Sequence, residues 1–302
     1  MKHHILITGA TGMIGKILTR HLMARGHSVA ILARKPIKVP GVQVYLWNVE
    51  KGEIDVKGLH GVTTIVHLAG EGIADKKWTK ERKQKIIDSR VDSTKLLYDA
   101  IASSGAPVKN FIASSAVGFY GDRADEVLTE DSAAGSGFLA KCCTLWETAV
   151  DRGVSLGLRV VKIRTGFVLG REGGALPALE RPIRFFAGAP LGTGKQWVPW
   201  IHVDDIVGIF VNAIEDGYFS GAYNGSAPYP VTNKTLTKAI AGSIGRPLWP
   251  FNVPEKILEM ILGKMSAVTT ISTNTSAQKV LDAGYKFQYT RLEEALAQIY
   301  KK

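Results

Sequence analysis

A doubly wound α/β fold, a parallel sheet with a small C-terminal lobe, is predicted by three features of the sequence. Short apolar runs recur with helical stretches between several of them, as expected of strands buried on both faces of a parallel sheet. The first run leads straight into a glycine-punctuated turn and a helix. Beyond Gly166 the texture changes to glycine, proline and short helical stretches.

The first strand is His4-Ile5-Leu6-Ile7-Thr8, and the helical run Lys16 to Arg25 closes on Gly26 at a C-cap position. Between them lies Gly9-Ala10-Thr11-Gly12-Met13-Ile14-Gly15. Gly9 permits the tight turn, Gly12 lets backbone approach a pyrophosphate, and Gly15 lets helix and strand pack closely. A helix N-terminus placed there offers unpaired N–H groups and a partial positive charge to phosphates. This context makes the glycines a dinucleotide-binding loop.

The second strand runs from His27 to Arg34. In NAD-preferring sites a carboxylate about twenty residues past the glycines bonds the ribose 2′-hydroxyl. Here the slot, nineteen residues past Gly15, holds Arg34. A guanidinium forms a forked, charge-assisted bond with a 2′-phosphate, which a carboxylate would repel. NADP is therefore the expected cofactor; a solvated arginine at a strand end is the plain alternative.

Val42 to Trp47 reads as the third strand, followed by Thr64–Ala69, Asn110–Ser115 and Arg159–Arg164. Ligands of such sheets bind at the carboxyl ends of the strands, by the topological switch point. That places Gly9, Arg34, Ala69, Gly70, Ser114 and Arg164 on one rim. Gly170, Gly173, Gly174, Gly188, Gly192 and Gly194, with Pro177, Pro182 and Pro190, predict a looped region. Trp200 to Val207 starts a helix that returns to the main sheet. The expected division is 1–169 with 200–225 for the dinucleotide-binding domain, and 170–199 with 226–302 for a lobe closing over the rim.

The chain of 302 residues is 45% hydrophobic and 22% charged, ordinary for a globular protein. No apolar run approaches the roughly 18 residues that span a bilayer, and the N-terminus lacks a signal-peptide layout. Cys142 and Cys143 are the only cysteines, and adjacency suits neither a disulfide nor a metal site. A reducing cytoplasm or organelle stroma is the expected compartment. The net charge of +11 invites a nucleic-acid reading. Its densest segment, Lys76 to Lys85, carries no nucleic-acid-binding motif and reads as a solvated helix face, so no specific nucleic-acid partner is expected.

Gly9-x-x-Gly12-x-x-Gly15, His67-Leu68-Ala69-Gly70, Ser114-Ser115 with Tyr120-Gly121, Arg164-Thr165-Gly166 and Trp200-Ile201-His202-Val203-Asp204-Asp205 together resemble the extended short-chain dehydrogenase/reductase superfamily. Glu71, Arg90, Gly188 to Gly194 and Ala283 to Phe287 narrow the resemblance to its atypical branch, the NAD-dependent epimerase/dehydratase-like family, also named the cell-division-inhibitor family in bacteria. The resemblance implies a Rossmann NADP domain with a small substrate lobe. It carries cofactor contacts onto Gly9, Thr11, Gly12, Met13, Ile14, Gly15, Ala33, Arg34, Leu68, Ala69, Gly70, Glu71, Arg90, Ser114 and Arg164. Lys85 is a weaker candidate that also reads as a solvated cation.

Superfamily enzymes use a Tyr-x-x-x-Lys pair whose Lys, with the cofactor ribose, lowers the Tyr pKa for proton exchange with a hydroxyl that Ser or Thr orients. Anchoring on Glu147 puts Leu139 in the Tyr slot and Cys143 in the Lys slot; Ala116 takes the hydroxyl slot. Ser115, Tyr120 and Lys141 are the conceivable stand-ins, and each also reads as plain structure. So does His202 with Asp204 and Asp205, as a helix entry. Two functions remain open. One is an NADP-dependent epimerase-like oxidoreductase of a small hydroxyl or carbonyl substrate. The other is a catalytically silent NADP-binding protein with a regulatory protein partner.

Overall fold

The computed structural model describes residues 2–301. Strands β1 (His4–Thr8), β2 (Ser28–Ala33), β3 (Gln43–Asn48) and β4 (Glu53–Ile54) build one half of the main sheet. Strands β5 (Thr64–His67) and β6 (Asn110–Ala116) lie across the switch point; the short β7 (Val127–Leu128) stands outside the sheet, and β8 (Arg159–Thr165) continues it. Strands β9 (Phe167–Gly170), β10 (Gly173–Gly174), β11 (Trp197–Val198) and β12 (Trp200–His202) form the region beyond, and β13 (Gly221–Gly225) returns to the main sheet. The short β14 (Val231–Thr232) and β15 (Asn274–Thr275) pair with β11 and β7.

The main sheet has eight strands in the order β13-β8-β6-β5-β1-β2-β3-β4, parallel throughout except for the β3–β4 edge pair. The crossover passes between β1 and β5, so Thr8 lies beside both Leu32 and His67. A crevice opens at the carboxyl ends of these strands because their connections leave in opposite directions.

Helices α1 (Met13–Ala24), α2 (Lys80–Ser104), α3 (Gly137–Ser155), α4 (Leu176–Arg184) and α5 (Val203–Glu215) are followed by α6 (Asn233–Ser243), α7 (Glu255–Leu262), α8 (Ala267–Thr270), α9 (Gln278–Asp282) and α10 (Leu292–Tyr300). One core joins Leu18 and Leu22 of α1 and Ile206, Ile209 and Phe210 of α5 to Ile5, Ile7, Ile31 and Val161 of the sheet. The opposite face buries Leu97 and Tyr98 of α2 and Trp146 and Val150 of α3 against Leu6, Ile65, Phe111 and Val160. Alternate strand residues thus feed opposite cores, which is why the strands read as continuous apolar runs. A third core gathers Trp200, Leu236, Ile240, Leu292 and Ile299.

The stretch beyond Gly166 is more ordered than its prolines and glycines suggest. Pro177 falls in the first turn of α4, where no N–H bond is lost, and Leu176 and Ile183 bury the helix. The glycines accommodate neighbours instead of loosening the chain: a Cβ on Gly170 or Gly174 would come within 3 Å of the Met13 thioether. Strand β5 ends at His67, short of the expected Ala69. There the chain leaves the ladder, and the Ala69 N–H turns to Thr8 Oγ1 at 3.2 Å.

Candidate functional site

The glycine loop forms the floor of a cleft of about 1450 Å³ at the switch point. Gly9 holds φ +69°, and a Cβ there would lie 2.7 Å from the Leu68 carbonyl carbon; one on Gly15 would meet Gly9 O at 2.5 Å. Turn and helix can therefore approach the β5 end this closely only with glycine. No side chain caps α1, and its first turn carries no acidic residue. Its first N–H groups are left to an anion; the Gly12 N–H bonds Gly9 O at 3.0 Å, and a Cβ on Gly12 would meet nothing nearer than that oxygen at 3.4 Å. A pyrophosphate fits these donors and this space.

Of the sequence candidates, Gly9, Thr11, Gly12, Ala33, Arg34, Leu68, Ala69, Gly70 and Glu71 line the cleft together. Met13, Ile14, Gly15, Arg90, Ser114 and Arg164 do not. Met13 sends its side chain to the β9–β10 glycines and Ile14 packs on the core, so only their backbone can serve a ligand. The Ser114 hydroxyl is satisfied by the Ser115 carbonyl at 3.3 Å.

Arg34, at the end of β2, projects with 78% of its side chain exposed and meets Glu71 Oε1 at 3.2 Å. Glu71 is gripped from behind by Arg82 Nη1 at 2.7 Å, and Arg82 Nη2 donates to Gly72 O at 2.7 Å. The Arg82 side chain is only 10% exposed, so the pair anchors Glu71 to α2 and leaves Arg34 the exposed partner. Lys80 and Lys85 line the cleft as well, and Lys85 bonds Glu50 at 2.9 Å. Lys83 lies 4.9 Å over the Phe138 ring. The Lys76–Lys85 segment is therefore only partly the solvated face expected of it: α2 opens at Lys80 and turns part of its charge onto the cleft. Helical phase, which a count of charges does not show, decides that.

Below the floor a hydrogen-bonded relay ties the cleft together. The Ala69 N–H donates to Thr8 Oγ1, which stands 2.7 Å from His67 Nδ1. His67 Nε2 stands 3.0 Å from Ser93 Oγ, whose proton goes to Ser89 O at 2.7 Å. These bonds assign the Nε2–H tautomer. Burial, reinforced by Arg90, pushes the imidazole pKa down to about 3. Between the unfolded value of 6.5 and this folded value the unfolded chain binds the extra proton, so the neutral His67 favours the fold above pH 6.5 and that contribution is lost as pH falls. The expected slope is at most about 1.4 kcal/mol per pH unit. Urea titrations from pH 7 to 4.5 should show a shallower loss in His67→Gln; an unchanged slope would clear His67 of the effect.

Arg164 sits in a buried network, away from the cleft. Its Nε and Nη2 meet the two Glu147 oxygens at 2.9 Å each, and Nη1 donates to Tyr120 Oη at 2.9 Å and Glu130 O at 3.1 Å. A direct cofactor contact would have to break this fork. Ser115 donates to Glu147 at 2.7 Å and Tyr120 to Asn224 Oδ1 at 2.7 Å. Burial holds the Tyr120 hydroxyl up at about 12 and the Cys143 thiol up at about 12, so neither exchanges a proton readily near neutrality. Lys141 is exposed. His202 caps α5, accepting from the Asp204 N–H at 3.1 Å, in line with the helix-entry reading.

Leu139 and Cys143, one turn apart on α3, face Gly118: a Cβ there would lie 3.3 Å from Leu139 Cβ and 3.7 Å from Cys143 Sγ. Leu139 and Phe138 pack into an apolar cluster with Ile73, Trp78, Ile86 and Cys142, closed by Met265, Ala267 and Val268 from the C-terminal part of the chain. Sequence reasoning expected a C-terminal lobe closing over the rim without naming the residues that pack here, and it missed the Arg82–Glu71 anchor, which the phase of α2 decides. It also missed that the two family-like segments around Asp205 and Tyr285 are one structure. The buried Asp205 carboxylate accepts from Tyr285 Oη, Gln288 N and Tyr289 N at 3.0, 2.7 and 3.0 Å.

Comparison with known proteins agrees with this architecture. The profile of the NAD dependent epimerase/dehydratase family matches residues 5–224, and that of a domain of unknown function, DUF1731, matches residues 253–299. The epimerase family protein YfhF of Bacillus subtilis is 36% identical over 298 residues, 98% of this chain and 97% of its own. The crystal structure of human epimerase family protein SDR39U1 with NADPH superposes with a TM-score of 0.85 at 30% identity, covering 98% of this chain and 99% of that one. A nucleoside-diphosphate sugar epimerase structure from Corynebacterium glutamicum gives 0.81 at 35% identity, over 99% of this chain and 58% of the other. Among the described residues no helix is long and apolar enough to cross a membrane, and no group of three or more His, Cys, Asp or Glu is placed to hold a metal ion.

Proposed function

The chain belongs to the NAD-dependent epimerase/dehydratase family, and on that premise we propose that it binds NADP(H) in the switch-point cleft and lacks the superfamily's Tyr-x-x-x-Lys pair. The uncapped α1 N-terminus takes the pyrophosphate, with Gly9, Thr11, Gly12 and the backbone of Met13, Ile14 and Gly15 around it. Ala33 and Arg34 take the adenosine ribose and its 2′-phosphate; Leu68, Ala69, Gly70 and Glu71 form the opposite wall. When bound, the nicotinamide supplies a hydride donor or acceptor. Its surroundings at Leu139, Cys143 and the apolar cluster offer no proton carrier in place of the pair.

The observation that carries the cofactor reading is Arg34, exposed over the cleft at the end of β2. A 2′-phosphate draws it away from Glu71, which Arg82 retains. A charge-assisted pair of this kind contributes about 1.5–3 kcal/mol, a preference for NADPH over NADH of roughly ten- to hundredfold. Calorimetry on the wild type and on Arg34→Glu measures it, the variant being expected to lose the preference. Equal affinities in the wild type overturn the reading.

The vacant pair and the apolar closure favour a slow, substrate-specific oxidoreductase, or a silent cofactor-binding protein acting through a regulatory partner, over an ordinary nucleotide-sugar epimerase.

A further inference from the structure

Exposed aromatic side chains gather at one corner of the C-terminal lobe. Helix α4 ends at Arg184, and Phe185 and Phe186 follow it 74% and 55% exposed. The backbone closes as a Schellman turn: the Phe186 N–H donates to Ile183 O at 3.1 Å and the Ala187 N–H to Pro182 O at 2.9 Å. Phe186 takes the position where glycine is usual, with φ +59°, one of two non-glycine residues with positive φ among the described residues. A left-handed conformation is costly for a bulky side chain, and burial returns little here because more than half of the residue stays exposed.

A second segment fixes the first. Trp249 donates its backbone N–H to Gly188 O at 2.9 Å and its indole N–H to Phe186 O at 2.6 Å, and Trp249 and Phe251 are 60% and 75% exposed. With its donor already satisfied, the indole can enter an apolar phase without stranding a polar group. The charge around the rings is mostly positive. Arg246 lies 4.7 Å over the Phe186 ring, and Arg181 and Arg184 stand exposed in the last turn of α4. The one carboxylate on these two segments, Glu180, bonds both Arg184 and Tyr300 Oη. Glu255 and Glu259 of the following α7 are interleaved with Lys256 and Lys264. We propose that this corner docks on an anionic phospholipid surface, its four rings entering the headgroup layer and its three arginines meeting lipid phosphates. Aromatic rings flanked by guanidinium groups suit that boundary, which accommodates apolar surface and charge together. A second copy of the chain is a poorer match, because an isologous contact would set these arginines against their own counterparts. None of these residues lines the switch-point cleft, so the inference is independent of the cofactor reading.

Flotation of the full chain with vesicles provides the test. The wild type is expected to bind vesicles of mixed phosphatidylcholine and phosphatidylglycerol, and to bind pure phosphatidylcholine at least about tenfold more weakly. Arg184→Gln and Arg246→Gln should each weaken binding to the mixed vesicles about fivefold, and Phe185→Ser roughly tenfold. Phe186→Gly should weaken it similarly while relieving the left-handed strain, so that unfolding does not account for its loss. Should that variant disturb the turn, Phe185→Ser, at the more exposed of the two rings, still decides. No flotation of the wild type with the mixed vesicles, equal flotation with the neutral ones, or unchanged binding in the ring or the arginine variants each overturns the proposal. Sedimentation velocity reads the alternative occupant: a wild-type dimer that Phe185→Ser dissociates would assign the corner to a second copy and overturn the lipid reading.

Discussion

Replacing Glu147 by Leu is expected to destabilise the protein by about 3–5 kcal/mol, about a fifth or more of a typical domain's total stability. The carboxylate neutralises Arg164 through two bonds of 2.9 Å and accepts the Ser115 hydroxyl at 2.7 Å, with both ion-pair side chains nearly enclosed. Removing it strands a guanidinium that cannot deprotonate and cannot reach water without pulling β8 away from α3. Removing both charges is milder, because the desolvation penalty goes with them; Glu147→Leu with Arg164→Met should recover more than half of the loss. Urea unfolding of the wild type, the single and the double variant measures each step. A single-variant loss below about 1 kcal/mol would show that the pair is solvated and would refute the buried-network account.

Turnover of ordinary nucleotide sugars is expected to fall roughly 10²–10⁴-fold below that of enzymes with a positioned acid–base. The stand-ins conceivable from sequence are committed elsewhere: Ser115 donates to Glu147, Tyr120 donates to Asn224 while accepting from Arg164, and Lys141 is exposed. Positioning of a hydride donor survives these losses, so a slow reaction on a well-matched carbonyl remains compatible with the site. NADPH oxidation and epimer exchange across UDP-, GDP- and dTDP-sugars and simple carbonyls provide the assay. A rate of about 1 s⁻¹ or above, within the usual enzyme range, would refute the vacant-pair reading. Ser115→Ala, Tyr120→Phe and Lys141→Ala would then identify the proton carrier.

The cleft was legible in the sequence because its parts are local. A strand, three glycines at fixed offsets, a helix and a strand-end arginine lie within the first 34 residues, and neighbouring backbone geometry sets their roles. The spacing of Leu139, Cys143 and Glu147 was legible for the same reason, since they lie one and two turns apart on one helix face. The limits lay where partners come from afar. Arg164 reads as a rim residue because β8 ends at the rim, yet Glu147, Tyr120 and Glu130 enclose its head group. The glycines of 170–174 read as loop until Met13 is seen to fill the space beside them.

The sequence by itself determined the parallel sheet, the glycine turn between β1 and α1, the arginine at position 34 and the absence of any Tyr-x-x-x-Lys spacing. Each depends on backbone conformation or side-chain chemistry within a few residues. Only the tertiary structure decided that Glu71 is anchored by Arg82, that His67 is a neutral tie beneath the cleft, that residues 265–268 close over Leu139 and that Arg90 lies between Trp146 and Gly70. Those outcomes depend on which donors, acceptors and apolar faces meet across the fold. Burial sets their energies, and it exists only once the helices have packed on the sheet.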